Sequence, residues 1–222
     1  MKIKKRVYIP LLLAAAVLIA TVGLLTDFHR YEPGTKTVPK SDGGILFTIT
    51  TYDGRTETRP FVKCMGHTWL SVENKTGHAV RLMDQELGDG EMLTFSIWAV
   101  SGHRGVFFNL EADFIRQFGR YDGRQSLSAC VDESKLAVME AYITAHDDWT
   151  LGCNCSRWAL ELWNEVVESP YRLRTQTLLY TPERLQRSFC EFDCVVTDMD
   201  FSSAGGIWLE RNGVREELVL CP

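Results

Sequence analysis

One cysteine occupies a position at which the sequence pattern predicts an activated nucleophile. Cys155 lies in the run Gly-Cys-Asn-Cys-Ser-Arg-Trp-Ala that begins at Gly152. The apolar residues that follow recur at helical spacing, and Cys155 extends that stripe backwards by three and four positions. This pattern predicts a cysteine in the first turn of a helix, where unpaired N–H groups and the helix dipole stabilise a thiolate. Such a thiolate can attack a carbonyl carbon, and the same N–H groups can hold the oxyanion.

Other roles for this cysteine compete with catalysis. A cysteine on the apolar face of a helix is often part of the core, or half of a disulfide with Cys153 or another cysteine. Cys153 and Cys155 could bind a metal together with a histidine. A Cys-x-Cys pair without a second spaced pair is a weak metal signal, however, so we predict no metal and no cofactor.

A histidine that could serve as the base lies about 90 residues earlier. His67 opens a strand-like segment with alternating apolar residues, and Gly66 leaves backbone room beside it. An imidazole can take the proton of a thiol and later return one to a leaving group. We therefore predict that His67 is the partner of Cys155.

A carboxylate behind the imidazole would complete the arrangement. If residues 75–76 form the loop of a hairpin, residues whose numbers sum to 151 face each other, and His67 then faces Asp84. Asp84 is accordingly the predicted third catalytic residue. Glu86 and Ser96 are its rivals, because a one-residue slip of the register would remove the pairing with Asp84.

The elements that must position these residues form an antiparallel meander followed by helices, an α+β fold. The predicted strands are 45–52, 67–73, 78–83, 92–100 and 105–110, with a terminal hairpin of 206–210 and 216–220 around Asn212-Gly213. Helical periodicity predicts helices at 134–145 and 156–168, and a short helix after Pro182.

The N-terminus indicates export. Four basic residues precede the uncharged run Val7–Leu25, which as a helix would span about 28 Å. We interpret residues 1–25 as one transmembrane signal anchor, with a cleaved signal peptide as the alternative. The positive-inside rule then sends the rest of the chain across the membrane. Residues 26–43 are predicted to be a linker, and 44–222 a single domain.

Composition limits the partners and the redox state. The net charge of −5 argues against a nucleic-acid partner bound through bulk charge. Seven cysteines in an exported chain predict three disulfides and one free thiol. We expect Cys155 to be the free one, with the disulfides formed by Cys64, Cys130, Cys153, Cys190, Cys194 and Cys221.

These motifs resemble a known superfamily. A strand-borne Gly-His followed by Asn-Cys-Ser-x-aromatic-Ala at a helix start is similar to the permuted papain-like hydrolases. These are NlpC-type cysteine hydrolases, including lecithin retinol acyltransferase-like proteins, in which the histidine precedes the cysteine. The segments GHTWLSVENKTG, GHRGVFFNLE and DDWTLGCNCSRWALELWN carry the resemblance, which covers about residues 62–168 and points to uncharacterised secreted bacterial proteins.

The resemblance implies a circularly permuted papain-like fold with Cys155 as nucleophile and His67 as base. Members usually carry a polar third residue about 12 positions after the histidine, whereas this chain has Ala79 there, next to His78. The resemblance also implies a cysteine peptidase or amidase that cleaves an amide bond, with peptidoglycan stem peptides as the expected substrate. The alternatives are a disulfide-stabilised extracytoplasmic binding module and an acyltransferase that uses the same site. The oligomeric state is left open.

Overall fold

The computed structural model describes residues 17, 31–38, 43–55, 66–100, 102–150, 152–174 and 180–219. These residues form a mixed α+β structure that is dominated by an antiparallel sheet, as the sequence predicts. Of the predicted membrane segment 1–25, all but Val17 lies outside the described residues. No helix in the described ranges is long and apolar enough to cross a membrane.

The described residues form ten β-strands. They are β1 Gly44–Tyr52, β2 His67–Lys75, β3 Val80–Leu82, β4 Gln85–Leu87, β5 Met92–Val100, β6 His103–Phe108, β7 Gln125–Val131, β8 Val196–Thr197, β9 Ile207–Arg211 and β10 Val214–Leu218. The main sheet has eight strands in the order β10-β9-β6-β5-β2-β1-β7-β8, and every neighbouring pair is antiparallel. A separate two-stranded sheet pairs β3 with β4.

Four α-helices complete the described part of the fold. They are α1 Leu110–Phe118, α2 Lys135–Ala145, α3 Cys155–Val166 and α4 Pro182–Ser188, with 3-10 turns at Ser169–Tyr171 and Phe189–Glu191. Helices α2 and α3 coincide with the predicted ones to within two residues at their starts and ends, and α4 begins at Pro182, next to the predicted short helix. Strands β4, β7 and β8 and helix α1 are not among the predicted elements.

The two faces of the sheet bury cores of different size, because alternate residues of each strand point to opposite faces. Helix α3 packs its apolar side on the face that carries Phe47, and the rings of Phe47 and Trp163 stack at 5.4 Å. The opposite face carries a smaller aromatic cluster, in which Trp69 and Tyr121 lie 5.1 Å apart. The start of β2 lies at the boundary between the two cores.

The described part of the predicted linker packs on the domain. Lys36 bridges to Phe192, its backbone N–H donates to the Glu191 carbonyl, and its ammonium group lies 2.6 Å from the Glu191 carboxylate. Val38 is buried in the larger core. Residues 31–38 therefore belong structurally to the domain that was predicted to begin at residue 44.

Candidate active site

The N-terminus of helix α3 holds Cys155, as the apolar stripe predicts. Asn154 caps the helix, since its side-chain oxygen accepts the backbone N–H of Arg157 at 3.1 Å. Its side-chain amide donates to the Tyr180 carbonyl at 2.8 Å, which ties the start of the helix to the segment before α4. Cys155 is partly exposed as a residue and packs against the larger core.

His67 is the first residue of β2, also as predicted. A side chain at Gly66 would place its Cβ 2.5 Å from the Tyr52 carbonyl oxygen, so this approach of the backbone requires glycine. The ladder between β2 and β5 ends at the pair Leu70 and Phe95. Thr68 lies beyond that pair, and a hydrogen bond from its backbone contributes to the lowered pKa of the Cys155 thiol.

A carboxylate lies behind the imidazole, and it belongs to Glu111. Its Oε1 atom is 2.9 Å from Nε2 of His67 and accepts the indole N–H of Trp98 at 2.8 Å. The Ser96 hydroxyl also donates to Oε1 and lies 3.2 Å from Nε2 of His67. The second oxygen, Oε2, is buried and has no hydrogen-bond partner. Three donors therefore concentrate the negative charge on the oxygen that faces the histidine.

The local backbone explains why Glu111 reaches this place. Asn109 adopts a left-handed conformation with φ 61° and ends the extended chain just before α1. Its side-chain amide donates to the carbonyls of Ala204 at 2.6 Å and Gly206 at 3.0 Å, which fixes the turn. Glu111 is thus the second residue of α1, where the helix dipole favours a carboxylate.

The charges of the site support one another. Burial alone would lower the pKa of His67, but the Cys155 thiolate and the hydrogen-bonded Glu111 raise this pKa to about 9. Burial alone would raise the pKa of the Cys155 thiol, but the His67 imidazolium and the hydrogen bonds from Thr68 and Ser156 lower it. Each charge therefore favours the other: a thiolate on Cys155 raises the pKa of the ring, and an imidazolium on His67 lowers that of the thiol.

The ring orientation follows from these contacts. Nε2 of His67 is taken by Glu111, which leaves Nδ1 as the nitrogen for Cys155. Burial would raise the pKa of Glu111, but the hydrogen bond and charge of His67, with the donors Ser96 and Trp98, lower it. His67 and Glu111 are only 2 % and 0 % exposed. The Trp98 ring lies 4.0 Å from the imidazole ring, centroid to centroid, and covers it.

Asp84, the predicted third residue, does not lie beside His67. Strand β2 pairs with β1 and β5, and β3 pairs with β4, so the hairpin register that brought Asp84 to His67 is wrong. Asp84 is an exposed residue in the turn between β3 and β4. Burial of Glu210 on β9 raises the pKa of that carboxyl, and the negative charge of Asp84 raises it further. Of its two rivals, Ser96 contacts the histidine, whereas Glu86 is exposed on β4.

Cys153 occupies a different environment from Cys155, two residues away. Burial and the charge of Glu161 raise the pKa of the Cys153 thiol, while Arg157 lowers it. A negative charge on this thiol raises the pKa of Tyr142 on α2, whereas one on the Cys155 thiol raises that of His67. Within the described ranges, no three His, Cys, Asp or Glu side chains come together in a way that could hold a metal ion.

The remaining cysteines bear on the predicted disulfides. Cys153, Cys155, Cys190 and Cys194 carry thiols and form no disulfide with another described residue. The Cys130 sulfur donates to the Gly43 carbonyl at 3.0 Å. Cys64 and Cys221 lie outside the described residues. Because these two cannot pair with all of Cys153, Cys190 and Cys194, the predicted set of three disulfides is wrong for this structure.

The arrangement can perform nucleophilic and acid–base chemistry. A thiolate at a helix start is a nucleophile, and the N–H groups of the first turn can donate hydrogen bonds to an oxyanion. The imidazolium can supply a proton, and Glu111 fixes its orientation. The sequence carried one signal for Glu111: Asn109 followed by acidic residues at 111 and 113 is typical of a helix start.

Comparison with known proteins yields no match: no protein-family model, no curated protein and no solved structure is similar to this chain. The arguments for the site therefore depend on the contacts of Cys155, His67 and Glu111. The superfamily resemblance stays an expectation from three short motifs.

Proposed function

We propose that the protein is a cysteine hydrolase that cleaves an amide bond through an acyl-enzyme. The single observation that carries this proposal is the side-chain hydrogen bond between His67 and Cys155 at the start of α3, with Glu111 bonded to Nε2 of the same ring. In space, His67 lies between Cys155 and Glu111, and in the chain His67 precedes Cys155. Both features agree with the permuted papain-like fold that the motifs imply.

The first half of the reaction forms a thioester. The Cys155 thiolate attacks the carbonyl carbon, and the carbonyl electron pair moves to the oxygen, which the N–H groups at the start of α3 stabilise. When the tetrahedral intermediate collapses, the C–N bond breaks. The His67 imidazolium gives its proton to the departing nitrogen, so the first product leaves as a neutral amine.

The second half returns the enzyme to its starting state. The neutral His67 takes a proton from a water molecule, and the hydroxide attacks the thioester carbon. The C–S bond then breaks, which releases a carboxylic acid and the Cys155 thiolate. Glu111 does not exchange a proton with the substrate; it holds the ring and stabilises each imidazolium.

Peptidoglycan stem peptides are the proposed substrate class, because the resemblance implies it and the basic N-terminus indicates export. The proposed location is outside the cytoplasmic membrane, with residues 1–25 as an anchor or a cleaved signal. Protease added to spheroplasts should digest the domain. Protection that is lost only on lysis would contradict the proposed orientation.

The decisive experiment compares the wild-type protein with Cys155→Ala and Cys153→Ala on purified muropeptides. Cys153 is the matched control, because it is a thiol two residues away whose pKa is set by burial and by the charges of Glu161, Arg157 and Asp148. Chromatography with mass spectrometry should show cleavage by the wild type and by Cys153→Ala, and none by Cys155→Ala. A hydroxylamine-sensitive adduct on Cys155 should accumulate when turnover is slowed.

Three outcomes would count against the proposal. Equal cleavage by all three proteins would exclude Cys155 as the nucleophile. Binding of muropeptides without cleavage or adduct would favour the binding-module interpretation. An adduct that passes its acyl group to an added amine, without release of a carboxylic acid, would favour acyl transfer at the same residue.

A further inference from the structure

A chain of buried hydroxyl groups begins beside Cys155 and ends at a carbonyl oxygen. The Ser156 hydroxyl lies 3.0 Å from that of Thr68, and the Thr68 hydroxyl lies 3.3 Å from that of Thr51. Thr51 donates to the carbonyl of Pro182 at 3.0 Å. All three hydroxyl-bearing residues are at most 1 % exposed, so water does not take the place of these partners.

The direction of the hydrogen bonds is fixed at one end only. A carbonyl oxygen can only accept, so the Thr51 proton is committed to Pro182. The contact between Thr51 and Thr68 then has a proton only if Thr68 donates it. In that arrangement Thr68 has no proton left for Ser156, and Ser156 must donate to Thr68.

The other end of the chain responds to the charge of the nucleophile. Ser156 follows Cys155 directly, and a hydrogen bond from its hydroxyl contributes to the lowered pKa of the thiol. When Ser156 donates to the sulfur, Thr68 turns to donate to Ser156. The hydrogen bond that is then broken is the one between Thr68 and Thr51, which is the longest of the chain at 3.3 Å.

We propose that the hydroxyls of Ser156 and Thr68 reverse their direction when Cys155 ionises, that Ser156 is a positioning residue for the thiolate, and that Thr68 competes with the sulfur for the Ser156 proton. In the thiol form, the protons run from Ser156 towards Pro182. In the thiolate form, those of Ser156 and Thr68 run towards the sulfur. The inference deepens the proposed function, since it concerns the same nucleophile, and it rests on that function for its catalytic meaning.

The proposal predicts opposite effects at the two ends of the chain. Ser156→Ala removes a donor to the thiolate and should raise the thiol pKa by about one unit, a tenfold change in the ionisation constant. Thr51→Val removes the acceptor that competes for the Thr68 proton and should lower the pKa by a few tenths. Thr68→Val should also lower it, because the thiolate is then the remaining acceptor for Ser156.

The experiment measures the alkylation rate of Cys155 by iodoacetamide against pH, with peptide mass spectrometry to identify the site. His67, whose charge lowers the thiol pKa, and Glu111, which favours the charged form of His67, are unchanged in every variant. Ser126→Ala is the matched control, because it breaks a buried hydroxyl pair with Thr50 of 2.9 Å that does not reach Cys155. Ser156→Thr should retain the wild-type profile.

The pattern of signs decides the result. An unchanged thiol pKa in Ser156→Ala would overturn the proposal. A rise in Thr51→Val and Thr68→Val equal to that in Ser156→Ala would also overturn it, because a merely structural role predicts the same sign throughout. Alkylation needs no turnover, so this test can fail while muropeptide cleavage succeeds, and the reverse.

Discussion

Two histidine–carboxylate pairs in this molecule have nearly the same length and different surroundings. Nε2 of His67 lies 2.9 Å from Glu111, and Nε2 of His78 lies 3.0 Å from Glu133. The first pair is almost fully buried, whereas the side chains of the second are 60 % and 52 % exposed. Distance alone would give the two pairs the same importance.

Burial and further partners make the difference. Water screens an exposed pair, so its contribution to stability is small. Around the buried pair, Ser96 and Trp98 donate hydrogen bonds to the carboxylate, and a thiolate on Cys155 is a second negative charge beside the imidazolium. A histidine at a strand start therefore becomes a candidate base through the buried carboxylate, donors and thiol that surround its ring.

The largest expected effect is on stability. Glu111→Ala leaves a buried imidazolium and the unpaired donors of Ser96 and Trp98, and it should lower the free energy of unfolding by about 3–5 kcal/mol. Glu133→Ala should lower it by at most about 1 kcal/mol. Urea unfolding of both variants checks the contrast. Equal losses would show that burial does not separate the two pairs.

The next effect concerns the proton on His67. His67 should stay protonated up to about pH 9 in the wild type, as followed by NMR of its ring protons. Glu111→Gln removes a negative charge that favours the imidazolium, so the midpoint should move to lower pH, towards the ordinary value of about 6.5. Glu133→Gln should leave the His67 titration unchanged. A midpoint that stays near 9 in Glu111→Gln would contradict the role of the carboxylate.

A smaller effect compares two thiols. The pKa of Cys155 is lowered, whereas burial and the charge of Glu191 raise the pKa of Cys190. Between pH 8 and pH 6, alkylation of Cys190 should slow about tenfold per pH unit, and that of Cys155 should slow less, because the thiolate fraction governs the rate. Parallel slowing of both thiols would argue against the ion pair.

The smallest expected effect is that of Asp84→Asn. Asp84 is exposed between β3 and β4, so this change should alter neither the titration of His67 nor the reactivity of Cys155. Either measurement described above checks it. A clear shift at His67 would restore the hairpin register that the strand pairing contradicts.

The sequence predicted the residues whose local patterns are strong. Cys155 follows from a helical apolar stripe, and His67 from an alternating strand that begins after Gly66. Both signals lie within a few residues of the site. The antiparallel sheet and the three later helices were predicted for the same reason.

The third residue could not be found by local reasoning. The turn residues 74–77 suggested that 67–73 pairs with 78–83, but both edges of β2 are occupied by β1 and β5. Neither partner follows from the sequence near His67. Glu111 reaches the site because β6 ends at Phe108 and the left-handed Asn109 starts a helix there, within a segment that was predicted to remain a strand to residue 110.

The docking of residues 31–38 limits how far a tethered domain could extend. In the anchored form proposed above, only residues 26–30 separate Leu25 from Tyr31, whose hydroxyl donates to the Arg174 carbonyl. Even a fully extended chain of that length reaches about 20 Å. The domain would then work within a thin layer next to the bilayer, and substrates held farther out would have to be brought to it.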